Sequence, residues 1–241
     1  MLGFFYGLDP LYLLLLGPTM ILAIWAQGKV KSAYARASRM PAASGLTGAQ
    51  AAAQILESAG AYDVSVEATR GFLSDHYDPT KKVLRLSPDV YQGRSLASLG
   101  IAAHEAGHAI QHRHHYAPLA IRNGLVPMAS IGSNMALFIF MGGLVMSYMG
   151  LVFGRGLMIA AIVLFAAVVL FQLVNLPVEF NASRRAKQEL LRLGMVGQRE
   201  VGAVSQVLNA AALTYVAATV GAIMTLLYFL LRSGLLGGRS N

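Results

Sequence analysis

Long stretches of this 241-residue sequence carry almost no charge, and this constrains the fold more than any other feature. Residues 126–177 contain one charged side chain, Arg155, and residues 210–231 contain none. Charged residues make up only 12% of the chain, whereas soluble domains average about 25%. Apolar segments of this length are stable in the hydrocarbon core of a bilayer, so the sequence excludes an ordinary soluble globular domain.

Four apolar stretches are long enough to cross a bilayer as helices. They are residues 4–25, about 126–153, 157–176 and 210–231. The first stretch lacks the basic start and the small-residue cleavage site of a signal peptide, so we interpret it as an anchor. The fold class that we predict is a mainly α membrane protein with about four transmembrane helices.

Basic residues flank the predicted spans unequally. Close to the spans, segments 26–125 and 178–209 together carry eleven Lys and Arg residues, whereas the other side carries Arg155, Arg232 and Arg239. Because basic residues favour the cytoplasmic side, we predict that both segments face the cytoplasm and that both termini lie outside. Contact with anionic lipid also accounts for the net charge of +8, so the lipid bilayer is an expected partner and nucleic acid is not.

We therefore divide the chain into five segments. They are an N-terminal transmembrane anchor (1–25), a cytoplasmic α+β insert (26–125), two transmembrane helices (126–177), a cytoplasmic loop or helix (178–209) and a C-terminal transmembrane helix with a tail (210–241). The two cytoplasmic segments hold 26 of the 30 charged residues, 18 in the first and 8 in the second. Polar chemistry is expected in these two segments.

The insert alternates helical and extended patterns. Thr47 and Gln50 predict the capping box of a helix that stops at Gly60. Three extended patterns follow, and the later two flank a turn and predict a β-hairpin. The three patterns lie at residues 64–67, 72–76 and 83–86. We expect an extended substrate to pair by strand addition along the edge of the 64–86 hairpin, and 83–86 is the strand at which proline substitution would test this.

The last predicted helix of the insert contains His104-Glu105-Ala106-Gly107-His108. Residues four apart lie on one face of a helix, so the two imidazoles can bind one ion while Glu105 reaches a water molecule at that ion. Zinc suits this arrangement because it accepts nitrogen and oxygen ligands and keeps a position open for water in catalytic sites. The pattern also arises by chance in helices, and that alternative stays open. The favoured interpretation is a site for one zinc ion per chain.

A catalytic zinc ion with two histidine ligands needs a third protein ligand. The sequence has no cysteine, which leaves the acidic residues and the other four histidines, all between residues 76 and 115. Glu179 is the leading candidate, because it follows the third span directly, where an ionisable side chain is costly unless it has a partner. It also emerges on the same predicted side of the membrane as His104. The alternative is a solvated carboxylate beside Arg184 and Arg185.

Several segments of the sequence together resemble one family. The segment HEAGHAIQH, followed far downstream by NLPVEFNASRRA, is similar to the YugP-like neutral zinc metallopeptidases of bacterial membranes. The likeness covers most of residues 44–186, since it extends to SGLTGAQAAAQILESAG, SDHYDPTKKVLRLSPDVY and RNGLVPMASIGSN. The resemblance implies a membrane-embedded zinc metallopeptidase of the bacterial cell membrane.

The resemblance also implies roles for individual residues. His104, His108 and Glu179 correspond to the metal ligands and Glu105 to the catalytic base. This arrangement is gluzincin-like and places the HExxH helix in a small zincin-like insert. The more distant HtpX and CAAX-prenyl proteases carry an aspartate at the position of Ser183, so we do not expect a carboxylate there.

These parts predict hydrolysis of a protein or peptide substrate by a water molecule that zinc activates. Glu105 takes the proton of that water as the general base and later passes it to the leaving amine. The developing oxyanion needs a further donor, and Arg184, Arg185 and His76 are candidates for this role or for contact with the substrate. Their simpler interpretations are lipid-headgroup anchors for the two arginines and a structural hydrogen bond for His76.

Two alternative functions compete with peptide hydrolysis. A di-iron oxygenase or desaturase uses histidine boxes, and His112-x-His114-His115 looks like one, but such enzymes spread more histidines over several segments. A carboxylate-bridged di-iron bundle needs a second Glu-x-x-His motif, which the sequence lacks. A non-catalytic zinc-binding membrane scaffold is consistent with every residue except Glu105, and this alternative stays open.

Overall fold

The computed structural model describes residues 9–236, which form seven helices and three strands. Residues 4–8 of the first predicted span, and Arg239, lie outside the described residues. In chain order the elements are α1 (Pro10–Ala37), α2 (Gly48–Ser58), β1 (Ser65–Ala68), β2 (His76–Asp78), β3 (Val83–Leu86), α3 (Pro88–Tyr91), α4 (Leu96–Arg113), α5 (Ala117–Tyr148), α6 (Phe153–Arg192) and α7 (Val201–Arg232).

The four longest helices, α1, α5, α6 and α7, are long and apolar enough to cross a membrane. This confirms the prediction of four candidate membrane helices in a mainly helical chain. All four helices extend beyond the predicted spans. Helices α5 and α7 begin earlier, at Ala117 and Val201, while α1 ends at Ala37 and α6 runs through Glu179 to Arg192. Lys, Arg and Gln end an apolar stretch but are good helix formers, so the helix does not end with the stretch. Glu179 therefore belongs to a continuous helix.

The described chain divides into two compact units. The first unit contains residues 9–25, 121–175 and 215–236, and the second contains residues 26–120 and 176–214. Each of the four long helices contributes residues to both units. All the residues that the sequence marked as candidate site residues belong to the second unit.

The first unit has an apolar core with stacked aromatic rings and a partly buried ion pair. Phe140 of α5 and Phe229 of α7 stack with their ring centroids 4.2 Å apart. The hydroxyl of Tyr228 donates to Asp9 Oδ2 over 3.0 Å, and Arg232 Nε lies 2.9 Å from the same oxygen. Because Asp9 directly precedes α1 and Arg232 ends α7, the ion pair links these two helices.

The core of the second unit forms where α2, the sheet and α6 pack on α4. Its fully buried side chains include Ile55 of α2, Leu84 of β3, Leu99 of α4 and Leu190 of α6. The predicted capping box starts α2, since Thr47 Oγ1 accepts from the Gln50 backbone N–H and Gln50 Oε1 accepts from the Thr47 N–H. Gly60 follows the helix with a φ of +71°, a conformation that glycine adopts without strain.

Three strands form one small sheet with the order β1-β3-β2. The first and third lie where the sequence predicted them, but the second is His76–Asp78 and not 72–76, because Gly71 and Leu73 have a positive φ and turn the chain there. Strand β1 pairs with β3 in parallel, and β2 pairs with β3 in antiparallel orientation. The hairpin prediction is confirmed, with the Asp78 carboxylate accepting from the backbone N–H groups of Thr80 and Lys81 in the turn. The expectation of an edge at 83–86 is wrong. Strand β3 is central because a parallel partner, which hairpin patterns do not reveal, covers its other side, so within the described chain the outer edges belong to β1 and β2.

The contact between α2 and the chain before α4 leaves no room for a side chain at Gly48. A Cβ added there would overlap the carbonyl oxygen of Val90. We expect Gly48→Ala to destabilise the fold by about 1–3 kcal/mol, because the clash is with backbone, and to lower the melting temperature by several degrees. Circular dichroism melting of the detergent-solubilised chain measures this.

The matched control for this variant is Gly202→Ala in α7, where no atom lies within 4 Å of an added Cβ. That variant should melt no lower than the wild type, because alanine favours the helix over glycine. Equal melting temperatures for Gly48→Ala and the wild type would contradict the packing described for α2.

Candidate metal centre

Helix α4 presents the two histidines of the sequence motif on one face. Its N-terminus is capped by Ser95, whose Oγ accepts a hydrogen bond from the Ser98 N–H over 3.1 Å. The helix continues without interruption from Leu96 to Arg113, so His104 and His108 lie one turn apart. Their rings have centroids 4.8 Å apart and an interplanar angle of 85°.

Helix α6 packs directly on α4 at Gly107, which lies between the two histidines. A Cβ added at Gly107 would come within 2.8 Å of the Ala182 carbonyl oxygen and 3.3 Å of its carbonyl carbon. The absence of a side chain at Gly107 therefore lets the two backbones approach closely. Glu179 precedes Ala182 by three residues, so this contact also brings the Glu179 carboxylate to the histidines.

The side chains of His104, His108 and Glu179 converge on one point. Glu179 Oε2 lies 3.2 Å from His104 Nε2 and 3.6 Å from His108 Nε2. One potential ligand atom from each residue lies within 4.8 Å of the other two. These are the three residues that the sequence indicated as ligands, and together they can hold a metal ion.

This cluster is nearly dry, which makes its charges important. Glu179 is 5% exposed and His108 is 8% exposed. Burial by itself lowers the pKa of His108, but the hydrogen bond and negative charge of Glu179 outweigh it, so the pKa of His108 is raised above its ordinary value. A buried carboxylate is stable only with a compensating positive charge, and the position between the three ligand atoms favours a cation.

The donor set fits zinc. Two imidazole nitrogens and one carboxylate oxygen are ligands that zinc accepts, and three protein ligands leave a fourth position open. Zinc bonds of about 2.0–2.1 Å in tetrahedral geometry place ligand atoms about 3.3 Å apart. The distances of 3.2 and 3.6 Å from Glu179 Oε2 to the two Nε2 atoms are close to this spacing.

The second ring nitrogen of each histidine also has a partner. His108 Nδ1 lies 3.0 Å from Gln111 Oε1, and His104 Nδ1 lies 3.2 Å from Ser183 Oγ. Gln111 is not among the residues predicted from the sequence, although its position three residues after His108 on the same helix face is a signal for it. At Ser183, where we expected no carboxylate, a hydroxyl takes the position beside His104.

The other predicted site residues lie on the same elements or on the sheet. Glu105 is half-buried on α4, next to His104. On α6, Arg184 is exposed, while the Nε–H of Arg185 donates to Asn181 Oδ1 over 2.8 Å. The roles proposed for these three charged residues stay predictions.

Two histidines outside the cluster make hydrogen bonds with the sheet region. His76 begins β2, and its Nδ1–H donates to the Ser74 carbonyl over 2.8 Å. This is the structural hydrogen bond that we gave as the simpler interpretation, and a substrate contact by His76 stays a prediction. His112 Nδ1 lies 2.9 Å from the Tyr77 hydroxyl, and this hydrogen bond joins α4 to β2.

The contact at Gly107 makes a specific prediction about metal binding. Gly107→Ala forces α6 away from α4 and moves Glu179 from the histidines, so we expect the zinc dissociation constant to rise at least about tenfold. The control is Gly100→Ala in the same helix, where the added Cβ meets a methyl group of Val204 on α7 instead of the α6 backbone. Competition with a chelator measures both variants. Equal zinc affinity for Gly107→Ala and the wild type would contradict the role of this contact.

Comparisons with known proteins identify the family of the chain. The profile of a family described as "Putative neutral zinc metallopeptidase" matches residues 12–234. The "Putative membrane protease YugP" of Bacillus subtilis (strain 168) is 46% identical over 210 residues, which cover 87% of this chain and 91% of that protein. No solved structure matches the chain. The resemblance seen in the sequence is therefore confirmed, and the chain belongs to this neutral zinc metallopeptidase family.

Proposed function

We propose that this chain is a membrane-embedded zinc metalloendopeptidase that hydrolyses peptide bonds in a protein or peptide substrate. The observation that carries the proposal is the convergence of His104, His108 and Glu179 beside Glu105 on α4. Membership in a zinc metallopeptidase family and the printed name of the relative, a membrane protease, support it. We assign one zinc ion to each chain.

The proposed centre is gluzincin-like, with the HExxH motif on the central helix of a zincin-like insert. His104, His108 and Glu179 hold the metal through two imidazole nitrogens and one carboxylate oxygen. The chemistry that zinc supplies at such sites is polarisation of the substrate carbonyl and of a water molecule, whose pKa falls to about 7. The protein residues bind the ion, exclude bulk water and move the protons.

Glu105 is the general base in this proposal. It follows His104 directly, so its carboxylate lies at the same turn of α4 as a metal ligand. Glu105 accepts a proton as the water oxygen bonds to the peptide carbonyl carbon, and it delivers that proton to the amine nitrogen as the C–N bond breaks. The products are a carboxylic acid and an amine, so atoms and electrons balance.

An extended substrate is proposed to pair along the outer edge of β2. A hydrogen bond between Tyr77 and His112 joins β2 to α4, the helix that carries His104 and His108. Strand addition satisfies the backbone groups of both partners. His76 at the start of β2 and the exposed Arg184 are the proposed substrate or oxyanion contacts, with Arg185 as a further candidate.

The proposed location is a bacterial cell membrane, with the active site facing the cytoplasm. The four long apolar helices support a membrane location. The excess of basic residues in segments 26–125 and 178–209 supports the cytoplasmic orientation of the site residues.

Replacing the proposed base separates catalysis from metal binding. Glu105→Gln should keep one zinc ion per chain and lose peptide hydrolysis by at least about 100-fold, because the amide cannot accept the proton. Hydrolysis of casein by the detergent-solubilised chain, with zinc measured by atomic emission, tests this. Glu57→Gln on the exposed face of α2 is the matched control and should keep full activity.

Two outcomes would overturn parts of this proposal. Wild-type activity in Glu105→Gln would show that another residue is the base. A wild-type chain that binds zinc but hydrolyses none of the tested substrates would favour the non-catalytic zinc-binding scaffold.

Removing the third ligand tests the metal centre itself. Glu179→Ala leaves the two histidines without their carboxylate partner, so zinc content should fall well below one ion per chain. The matched control is Glu189→Ala, ten residues further along α6, where the carboxylate pairs with Arg192. Full zinc occupancy in Glu179→Ala would show that a different residue completes the centre.

A further inference from the structure

Gln111 has a fully buried side-chain amide on α4 that contacts His108, one of the residues of the proposed metal centre. It is 0% exposed, and its polar atoms make three hydrogen bonds. Its Oε1 lies 3.0 Å from His108 Nδ1, and its Nε2 lies 2.8 Å from the Val178 carbonyl oxygen and 3.0 Å from Asn181 Oδ1. Val178 and Asn181 flank Glu179 on α6, so this amide connects the segments that carry two of the proposed ligands.

The partners of Gln111 determine which way its amide points. The Val178 carbonyl can only accept a hydrogen bond, so the Gln111 atom that faces it must be the NH₂ group. The amide oxygen therefore faces His108 and can only accept. It follows that His108 Nδ1 donates and carries the hydrogen.

The orientation of Asn181 is determined in the same way. A guanidinium group can only donate, so the Asn181 atom that lies 2.8 Å from Arg185 Nε must be the amide oxygen, which accepts. That oxygen also accepts from the Gln111 amide. A permanently charged residue thus orients Asn181, which helps to orient Gln111, which in turn orients His108.

The hydrogen on Nδ1 determines what the other ring nitrogen of His108, Nε2, can bind. With hydrogen on Nδ1, neutral His108 has its lone pair on Nε2, and that atom lies 3.6 Å from Glu179 Oε2. A histidine binds a metal ion in its neutral form, and in that form both of these atoms offer lone pairs to an ion. Two acceptors that face each other at this distance are stabilised by a cation between them.

We propose that Gln111 is a positioning residue of the metal centre, which holds His108 in the form that offers Nε2 to the metal and ties it to the helix segment of Glu179. This inference rests on the proposed function for the identity of the metal. Metal-bound histidines are generally oriented by a carboxylate, carbonyl or water at the second nitrogen. Here a neutral side-chain amide takes that place, and the network through Asn181 and Arg185 keeps the amide from turning over.

The test compares Gln111→Met with the wild type, using the full chain in detergent. Methionine has a similar length but makes none of the three hydrogen bonds. We expect the zinc dissociation constant, measured by chelator competition, to rise about 10–100-fold. We also expect the visible spectrum of the cobalt-substituted chain to change, because the ring of His108 is no longer held in one orientation.

A control separates positioning from a loss of stability. Leu99→Ala removes a fully buried side chain from the same helix without touching the amide network. It should lower the melting temperature of the metal-free chain and leave the zinc dissociation constant of the folded protein unchanged. If Gln111→Met lowers the melting temperature but keeps wild-type zinc affinity and the wild-type cobalt spectrum, Gln111 is structural and the inference is overturned.

A second variant keeps the inference testable should Gln111→Met fail to fold. Asn181→Ala leaves Gln111 and its contact with Val178 in place, and it should weaken zinc binding in the same direction but less strongly. Unchanged zinc affinity in this variant would contradict the proposed role of Asn181 in orienting Gln111 and, through it, His108.

Failure of the proposed function gives a different result. A wild-type chain that binds zinc without hydrolysing casein contradicts the peptidase proposal, while the ratio of zinc dissociation constants still decides the role of Gln111. A wild-type chain that binds no zinc overturns both.

Discussion

The close approach of α4 and α6 at Gly107 is the contact on which the candidate centre depends. The histidines alone define only one side of a site, since they lie on a single helix. Glu179 reaches them because the Ala182 carbonyl occupies the space that a side chain at Gly107 would need. The same contact allows Ser183 to reach His104 and Gln111 to reach the α6 backbone. The missing Cβ at Gly107 therefore allows the Glu179 carboxylate, Ser183 and Gln111 to reach the two histidines.

The continuity of α6 gives the centre a second constraint. This helix contributes to both compact units, with its strongly apolar part in the first and the segment from Leu176 in the second. Pro177 lies inside the helix and removes one backbone donor, yet the helix continues to Arg192. Glu179 is therefore positioned by a continuous helix, and an ordered backbone holds a ligand more accurately than a loop does.

Local patterns in the sequence predict much of this fold, and contacts between distant segments account for what they miss. The capping box at Thr47, the helix of His104 and His108 and the four apolar helices follow from residue spacing and composition, because these properties depend on near neighbours. The sequence favours Glu179 as the third ligand by exclusion, since cysteine is absent and few ionisable residues lie beside an apolar span, and this assignment stays a prediction. The central place of β3 depends on a parallel pairing with β1 that hairpin patterns do not encode. The partners of Gln111 depend on the distance between two helices, which no local pattern specifies.

The neutral groups behind the two histidines have an electrostatic consequence. Glu179 already brings one negative charge into a nearly dry cluster. Carboxylates behind both histidines would add two more charges, each costly to bury. The Gln111 amide and the Ser183 hydroxyl contact the rings without adding charge. With a divalent ion bound, His104, His108 and Glu179 would carry a net charge of about +1, and a positive site favours the negative charge that develops on a peptide carbonyl oxygen during hydrolysis. Neutral partners behind the histidines therefore suit a centre that hydrolyses peptide bonds, because they leave the positive charge of the ion uncompensated. In a purely structural site, carboxylate partners that cancel the charge of the ion would be more stabilising.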